Sequence, residues 1–446
     1  MRKLIGLITL VCLVSATPAQ SQVRLFPYNY SIDNLENGLR LVTVPTDFPN
    51  MVALYIIVQT GSRDEIEPGK SGYAHLFEHL MFRGTPKFPS EKYTQTLNRI
   101  GAASNASTYN DKTIYHTTFS KEDLETVLSM EADRFQNLKV PEAEFRTESL
   151  AVLGEYNKNS ASPFSKLNEV LYDTAFERHT YKHTAMGFLR DIQDMPNQYD
   201  YSLKFFDRYY RPEYTTIVVV GDVKPKAVRA LVDKHWGEWK RGSYHPDIPP
   251  EPPQETPKTA KIDWPSPTLP LITIAYKGPR YDDSSVDTAA LDVLSDLAFS
   301  SNSELYQRLV VNEQRADSIG GDAPAEVDPA LFEIVARVKK AEDLDYIRDQ
   351  ILATVKQFQE KPVDTAKLDQ VRRRLRYEMA LRMDNSDAIA QTLAQFVALK
   401  RTPATMNALF DQYSKLTPGD IQKAAAKYLV EKNRTIVTLT GPGGAK

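Results

Sequence analysis

The sequence predicts an α+β fold built from two homologous domains, each a mixed α/β layering of sheet and helices. Its 446 residues are too many for one hydrophobic core and are typical of two domains. Short β-branched runs alternate with long amphipathic segments, such as 121–138 and 365–383, so both halves mix strands with helices. A weak internal repeat supports the division into two similar domains.

The repeat consists of two pairs of segments at nearly the same spacing. YIIVQTGSRDE (55–65) and ITIAYKGPRYD (272–282) both place a glycine turn after a β-branched run, at an offset of 217 residues. RYYRPEYTTIVVVG (208–221) and KYLVEKNRTIVTLT (427–440) both combine a helix end, a short loop and a buried strand, at an offset of 219. A pattern of strands and turns that is repeated at nearly one spacing indicates duplication of a domain of about 200 residues.

Composition predicts the boundaries of these domains. We expect a signal peptide at 1–21, an N-terminal domain at 22–240, a linker at 241–258 and a homologous C-terminal domain at 259–446. Six of the eighteen linker residues are proline, so this segment can form neither a helix nor a central strand and should be a semi-rigid spacer. The alternative is a proline-rich ligand for a partner protein.

The first residues have the pattern of a secretory signal. Arg2 and Lys3 precede an apolar run at 4–16, and small residues precede an expected cleavage site after Ser21. A membrane anchor and a buried helix are the alternatives, but the run is short for a span of about 20 residues. The single cysteine, Cys12, lies inside this segment, so the mature chain would have no disulfide. We expect export, with the periplasm as the compartment, and no membrane span in the mature chain.

The charge balance argues against nucleic acid as the main partner. The whole chain carries a formal charge of −3, and without its first 21 residues it has 53 basic against 58 acidic residues. A protein that binds nucleic acid through phosphates needs a basic surplus instead.

GYAHLFEHLMFRGT, 72–85, contains the residues with the clearest chemistry. Residues four apart on a helix differ by about 40° in direction, so His75 and His79 project from one face and can bind one tetrahedral metal ion. Glu78 lies beside them and can accept a proton from activated water. H-x-x-E-H is the inverted form of the zinc protease helix motif. The alternative is a buried helix with incidental histidines, but buried imidazoles and carboxylates need partners.

A third ligand is expected from PEAEFRTESLAVLGEYNKN, 141–159, which reads as a helix that opens at its proline. Glu144, Glu148 and Glu155 are the candidates. Glu148 and Glu155 are seven residues apart and share one face, so one could bind the metal while the other supports it. A solvated acidic face is the alternative, and spacing alone does not choose among the three.

The segment at 72–85 resembles the active-site signature of the pitrilysin/insulinase family of zinc peptidases, which includes the mitochondrial processing peptidases. RYYRPEYTTIVVVGD and SELYQRL (303–309) extend the similarity over the mature chain. In that family the third ligand lies 76 residues after the second histidine, at Glu155 here, and the supporting glutamate lies seven residues earlier, at Glu148. The resemblance implies one Zn²⁺ per chain, bound by the N-terminal domain alone, in half of a clam-like peptidase chamber.

The resemblance also implies a reaction and a substrate. Family peptidases bind a peptide as an added strand at a sheet edge, and the matching stretch here is 101–119, with Asn105, Ala106, Ser107 and Thr108 as the edge. The implied activity is hydrolysis of short or unfolded peptides, with Glu78 as the general base.

One part of the family pattern is missing. Single-subunit relatives supply an arginine and a tyrosine from the second half, and those positions fall on Val310 and Asp317 here. Arg308 and Arg315 are nearby, but neither has a tyrosine seven residues on. We therefore expect an Arg/Tyr-bearing homologous subunit that completes the site, in a heterodimer or heterotetramer. A non-catalytic structural or chaperone-like subunit and a self-sufficient homodimeric peptidase are the alternatives.

Overall fold

The computed structural model describes residues 25–442, so the predicted signal peptide lies outside the described residues. These described residues form two separate sheets, each flanked by helices. The predicted α+β class is therefore confirmed, while the predicted domain boundaries remain a prediction.

The strands lie in two groups along the chain. They are β1 Ser31–Asn34, β2 Arg40–Pro45, β3 Met51–Val58, β4 Ala103–Thr108, β5 Thr113–Ser120, β6 Thr215–Gly221, β7 Lys258–Asp263, β8 Leu271–Lys277, β9 Ala316–Asp322, β10 Leu331–Val338 and β11 Arg434–Thr440.

The helices fill the intervals between the strands. They are α1 Tyr73–Leu80, α2 Ser90–Arg99, α3 Leu124–Asn137, α4 Glu142–Ser160, α5 Pro163–Ala175, α6 Leu189–Asp194, α7 Tyr199–Tyr209, α8 Pro225–Trp236, α9 Val286–Phe299, α10 Glu304–Tyr306 (continued as a π-helix, Gln307–Asn312), α11 Leu344–Glu360, α12 Thr365–Leu381, α13 Ser386–Lys400, α14 Ala404–Lys415 and α15 Pro418–Tyr428.

The first sheet has the strand order β1-β2-β6-β3-β5-β4, and β2 and β6 are parallel while the other neighbours are antiparallel. Its central strands, β3 and β6, are β-branched and almost wholly buried. The polar strand β4, ASNAST, lies at the edge, where a strand tolerates solvent. The second sheet has the order β7-β11-β8-β10-β9, with β7 and β11 parallel.

The two halves each cover the other's sheet with a helix. One face of the first sheet packs against helices of its own half, but the opposite face packs against α13, where Leu393 joins a cluster with Val218. The second sheet is covered in turn by α5, where Leu171 joins a cluster with Val437. Because these two clusters each combine residues of both halves, the halves are bound together by hydrophobic burial.

The proline-rich segment 241–257 has no helix or strand, as its composition predicts. It is nevertheless held at both sides, because the Glu251 carboxylate accepts hydrogen bonds from the backbone N–H groups of 177–179 and from Lys277 Nζ. This segment is therefore held in place by hydrogen bonds to both halves.

Candidate active site

The helix that carries His75 and His79 is anchored at its N-terminus by a buried carboxylate. Gly72 precedes α1 with a left-handed φ of 91°. Glu65 accepts hydrogen bonds from the backbone N–H groups of Gly72 and Ala74, both at 2.7 Å, and so satisfies donors that the first helical turn leaves free. Burial raises the pKa of Glu65, and the two N–H groups oppose that shift. This anchor fixes where the first turn, and therefore His75, begins.

Three side chains from α1 and α4 converge at one point. His75 Nε2 lies 3.5 Å and His79 Nε2 lies 3.4 Å from the same Glu155 oxygen, Oε2. One donor atom from each residue lies within 4.8 Å of the other two, and within residues 25–442 no other group of histidines, cysteines and carboxylates meets in this way. The structure therefore brings together the three residues that the sequence predicts as metal ligands.

The chemistry of these donors fits a zinc ion. His75 is buried, and burial together with the nearby His79 lowers its pKa to about 4, so its imidazole is neutral and offers a lone pair near neutral pH. Two imidazole nitrogens and one carboxylate oxygen are a donor set that zinc accepts, with a fourth position left for water or substrate. The Glu155 side chain is 38% exposed, so that fourth position can be reached from solvent.

Glu148 lies next to the second histidine, whereas Glu144 lies on the exposed first turn of α4. Glu148 is buried, and its Oε2 atom lies 3.7 Å from His79 Nδ1, while Arg83 donates to its other oxygen. The polar contact between Glu148 and His79 is the main cause that raises the pKa of His79 and lowers the pKa of Glu148. Glu144 is exposed in the first turn of α4. Of the three candidates that spacing left open, Glu155 and Glu148 thus lie at the histidines.

Glu78 is held by the edge strand. Thr108 Oγ1 donates a hydrogen bond of 2.6 Å to Glu78 Oε2, and burial raises the pKa of Glu78. We predicted Thr108 only as part of a peptide-binding edge, and this contact was missed because it joins residues 30 apart. Arg83 was missed as well, although it stands within the quoted motif.

The predicted peptide-binding residues lie on a free sheet edge. Asn105, Ala106, Ser107 and Thr108 all belong to β4, which within residues 25–442 pairs with β5 alone. The Asn105 side chain accepts a hydrogen bond from the Ala106 N–H group, so that part of the edge is locally satisfied. The last residue of the strand, Thr108, contacts Glu78 on α1, and this contact places the sheet edge beside the cluster of His75, His79 and Glu155.

Several residues considered from the sequence lie elsewhere. Val310 packs partly buried against the core of the second half, and Asp317 is exposed and 3.6 Å from Arg337. Arg315 is paired with Asp343. Neither Val310 nor Asp317 offers the cationic or hydroxyl donor that the family pattern has there.

Sequence comparison places this fold in the metallopeptidase class. A sequence model described as insulinase (Peptidase family M16) matches residues 40–187, and one described as the Peptidase M16 inactive domain matches residues 198–375. The chain belongs to the pitrilysin/insulinase family of zinc peptidases.

Relatives over most of the chain agree with this assignment. The zinc protease PqqE of Helicobacter pylori is 28% identical over 98% of this chain and 98% of its own length. A protein of Arabidopsis thaliana named as a probable mitochondrial-processing peptidase subunit beta is 24% identical over 92% of this chain and 78% of its own. The crystal structure of a protease from Helicobacter pylori superposes with a TM-score of 0.87 at 27% identity, over 93% of this chain and 99% of that one.

Proposed function

We propose that this chain is the metal-bearing subunit of a zinc-dependent endopeptidase that hydrolyses short or unfolded peptides. The observation that carries the proposal is the convergence of His75, His79 and Glu155 on one point, beside Glu78. These residues would hold one zinc ion per chain, and Glu148 would keep His79 oriented through its Nδ1 atom. The metal-binding domain would be 22–240, joined through 241–258 to a domain at 259–446 that binds no metal.

Glu78 is the general base in this proposal. Zinc, when bound, polarises the scissile carbonyl and acidifies water. Glu78 accepts the proton of the attacking water and passes it to the leaving nitrogen, so no covalent intermediate with the protein is needed. The hydrogen bond from Thr108 holds one oxygen of Glu78 and leaves the other for the proton.

The edge strand suggests how a substrate is held. A peptide that adds to β4 would pair its main chain with Asn105, Ala106, Ser107 and Thr108, and main-chain pairing tolerates many side chains. Only an extended segment can add to a sheet edge, so short or unfolded peptides are the expected substrates. The same pairing would carry the peptide toward Glu78, because Thr108 contacts it.

The proposed enzyme is incomplete without a partner. Stabilising the developing oxyanion calls for a cationic or hydroxyl donor, and Val310 and Asp317 provide neither. A homologous subunit that bears an arginine and a tyrosine would supply them. That the relative from Arabidopsis thaliana is named as a subunit supports this arrangement.

We also propose that the chain is exported and cleaved after Ser21, with the periplasm as its compartment. The basic start, apolar run and small residues of the first 21 positions support this. In the part of the chain that the structure describes, none of the helices is long and apolar enough to cross a membrane. The mass of the chain purified from its native source would show whether cleavage occurs.

Metal analysis and a peptidase assay on residues 22–446 test the proposal. We expect about one zinc per chain, and hydrolysis of an unstructured peptide that rises strongly when the partner subunit is added. Glu78→Gln should retain zinc and lower kcat by about 10³-fold or more, because the base is lost while the ligands stay. Glu144→Gln, an exposed change on α4, is the matched control and should keep full activity.

The other outcomes are equally informative. Robust activity of the pure chain would contradict the need for a partner and favour a self-sufficient homodimer. A chain that binds no metal, alone or with its partner, would overturn the peptidase proposal and favour the structural subunit.

A further inference from the structure

The hairpin β4–β5 joins the candidate active site to the second half of the chain. At one end of its turn, Thr108 donates to Glu78 at 2.6 Å. At the tip, 109–112, the turn is closed by a hydrogen bond of 2.8 Å from Tyr109 N–H to the Lys112 carbonyl. Asp111 is only three positions after Thr108, so a displacement of the tip is transmitted directly to the residue that holds Glu78.

Asp111 is the polar centre of this tip. Its side chain is only 2% exposed. Asp111 Oδ1 accepts a hydrogen bond of 2.6 Å from Tyr181 Oη, and Oδ2 accepts one of 2.7 Å from the backbone N–H of Val327. Both oxygens of a buried carboxylate are therefore satisfied, one from the first half and one from the second.

The segment 326–328, which precedes β10, is itself fixed in place. Glu326 accepts a hydrogen bond from Asn110 at 3.2 Å, and Asp328 pairs with Arg63 at 2.6 Å and with His179 at 3.0 Å. Burial and the hydrogen bond with Asp111 raise the pKa of Glu326 to about 9, so near neutral pH it carries a proton. The contact between the hairpin tip and the second half is thus a partly buried polar network in which Asp111, Glu326 and Asp328 each have a hydrogen-bonding partner.

We propose that Asp111 is a positioning residue through which the second half of the chain holds the hairpin, and with it Thr108 and Glu78, in the productive arrangement. The inference rests on the proposed function for its catalytic consequence. Its structural part, that Asp111 orders β4, stands on the contacts alone. The second half then contributes to catalysis although it supplies no metal ligand.

Asp111→Asn is the first variant to test, because it keeps the size of the side chain but places an amide donor against the Tyr181 or Val327 donor. Tyr181→Phe is a milder second variant that removes one donor to Asp111 if Asp111→Asn does not fold. Asp387→Asn is the matched control. Asp387 is also a carboxylate that bridges the halves, accepting from Tyr55 and Thr118, but it lies on the α13 side of the first sheet.

Hydrogen exchange tests the structural part without any assay of activity. We expect Asp111→Asn, and to a smaller degree Tyr181→Phe, to speed exchange in 103–112, and Asp387→Asn to leave that segment unchanged. Unchanged exchange in 103–112 for both test variants, or an equal effect of Asp387→Asn, would overturn the proposal.

A double-mutant cycle with Thr108→Val tests the catalytic part. Each single change should lower kcat by about 10-fold or more at unchanged zinc content, because a small misplacement of the base is costly. If Asp111 acts through Thr108 and Glu78, the double variant is no slower than the slower single variant. If the double variant instead shows the product of the two single losses in kcat, Asp111 does not act through Thr108 and Glu78. A wild type that binds no zinc and stays inactive even with its partner subunit, together with the expected exchange result, would defeat the proposed function and leave the positioning of β4 intact.

Discussion

The two halves of the molecule share one strand order, but different side chains connect the helix pair α1 and α4 in the first half and the corresponding pair α9 and α12 in the second. The run β2-β6-β3-β5-β4 in the first sheet corresponds to β7-β11-β8-β10-β9 in the second, with the parallel pair at the same end and β1 as the addition. The offset of 217 that aligns Gly61 with Gly278 also aligns α1, the helix with the two candidate histidine ligands, with α9. The halves can therefore be compared residue by residue.

At that offset, ordinary polar residues stand in place of the H-x-x-E-H residues. The residues in α9 are Asp292, Ser295 and Asp296. The position of the glutamate ligand falls at 372–374, whether the offset is 217 or 219, and all three residues there are arginine.

These replacements form their own contacts in the second half. Asp292 accepts a hydrogen bond of 2.6 Å from Tyr413, and Arg374 forms an ion pair with Asp296. The pair α9 and α12 is thus joined by an ion pair where α1 and α4 are joined by the cluster of candidate metal ligands. The comparison teaches that this helix packing does not depend on metal chemistry, and that the site is an addition to a fold that stands without it.

Breaking the metal cluster should have the largest effect. We expect Glu155→Gln to lower zinc affinity by about 100-fold or more and to abolish measurable peptidase activity, because it removes one of the three proposed protein ligands. Zinc content after dialysis and kcat on an unstructured peptide measure this.

Arg374→Met is the corresponding change in the second half. It should cost about 1 kcal/mol of stability or less, because the ion pair is partly exposed, and it should leave zinc content unchanged. Retained zinc in Glu155→Gln, or lost zinc in Arg374→Met, would contradict the division between the halves.

The two matched glycines offer a second and smaller contrast. A Cβ added to Gly61 would lie 2.2 Å from the Tyr109 carbonyl oxygen and 2.3 Å from that of Asn110, whereas one added to Gly278 would lie 3.2 Å from the Ala330 oxygen. Gly61→Ala should therefore lower the free energy of unfolding by about 2–3 kcal/mol, and Gly278→Ala by less than about 1 kcal/mol. Urea denaturation measures both, and equal losses would show that the hairpin tip yields to the added methyl.

The local parts of this structure could be predicted from sequence, and the long-range parts could not. His75 and His79 follow from helical geometry alone, and the class of the fold follows from strand and helix patterns repeated at one offset. Choosing Glu155 over Glu144 needed the family spacing, because both glutamates lie on α4 next to other polar residues.

The exchange of α5 and α13 between the halves was not predicted. Leu393 and Leu171 each lie on an apolar helix stripe, and a stripe shows that a face is buried but not what covers it. Glu65 was missed for a related reason. It stands seven residues before Gly72, well outside the spacing of a capping box, so only the folded turn brings it to the helix.

The exchanged helices also differ in how they are held, and that difference predicts the smallest effect. α13 brings Asp387 to Tyr55 on the first sheet, whereas α5 brings Tyr172 to Glu333 on the second. Burial raises the pKa of Glu333 to about 7 from an ordinary value of 4.5. A raised carboxyl pKa means that the folded state binds the proton more tightly, so this contribution to stability is complete below about pH 4.5 and is lost as the pH rises toward 7.

Glu333→Gln should remove this dependence. As the pH rises from 5 to 8, we expect the free energy of unfolding of the variant to increase by about 1 kcal/mol relative to that of the wild type. This is less than the full pKa shift of Glu333 implies, because the residue keeps some solvent contact. Tyr172→Phe should act in the opposite direction, because the tyrosine hydroxyl stabilises the charged carboxylate and its loss raises the Glu333 pKa further. Denaturation midpoints across this pH range measure both variants. Parallel pH profiles for the wild type and Glu333→Gln would show that Glu333 is solvated enough to ionise freely, and that the second sheet binds its exchanged helix without a titrating contact.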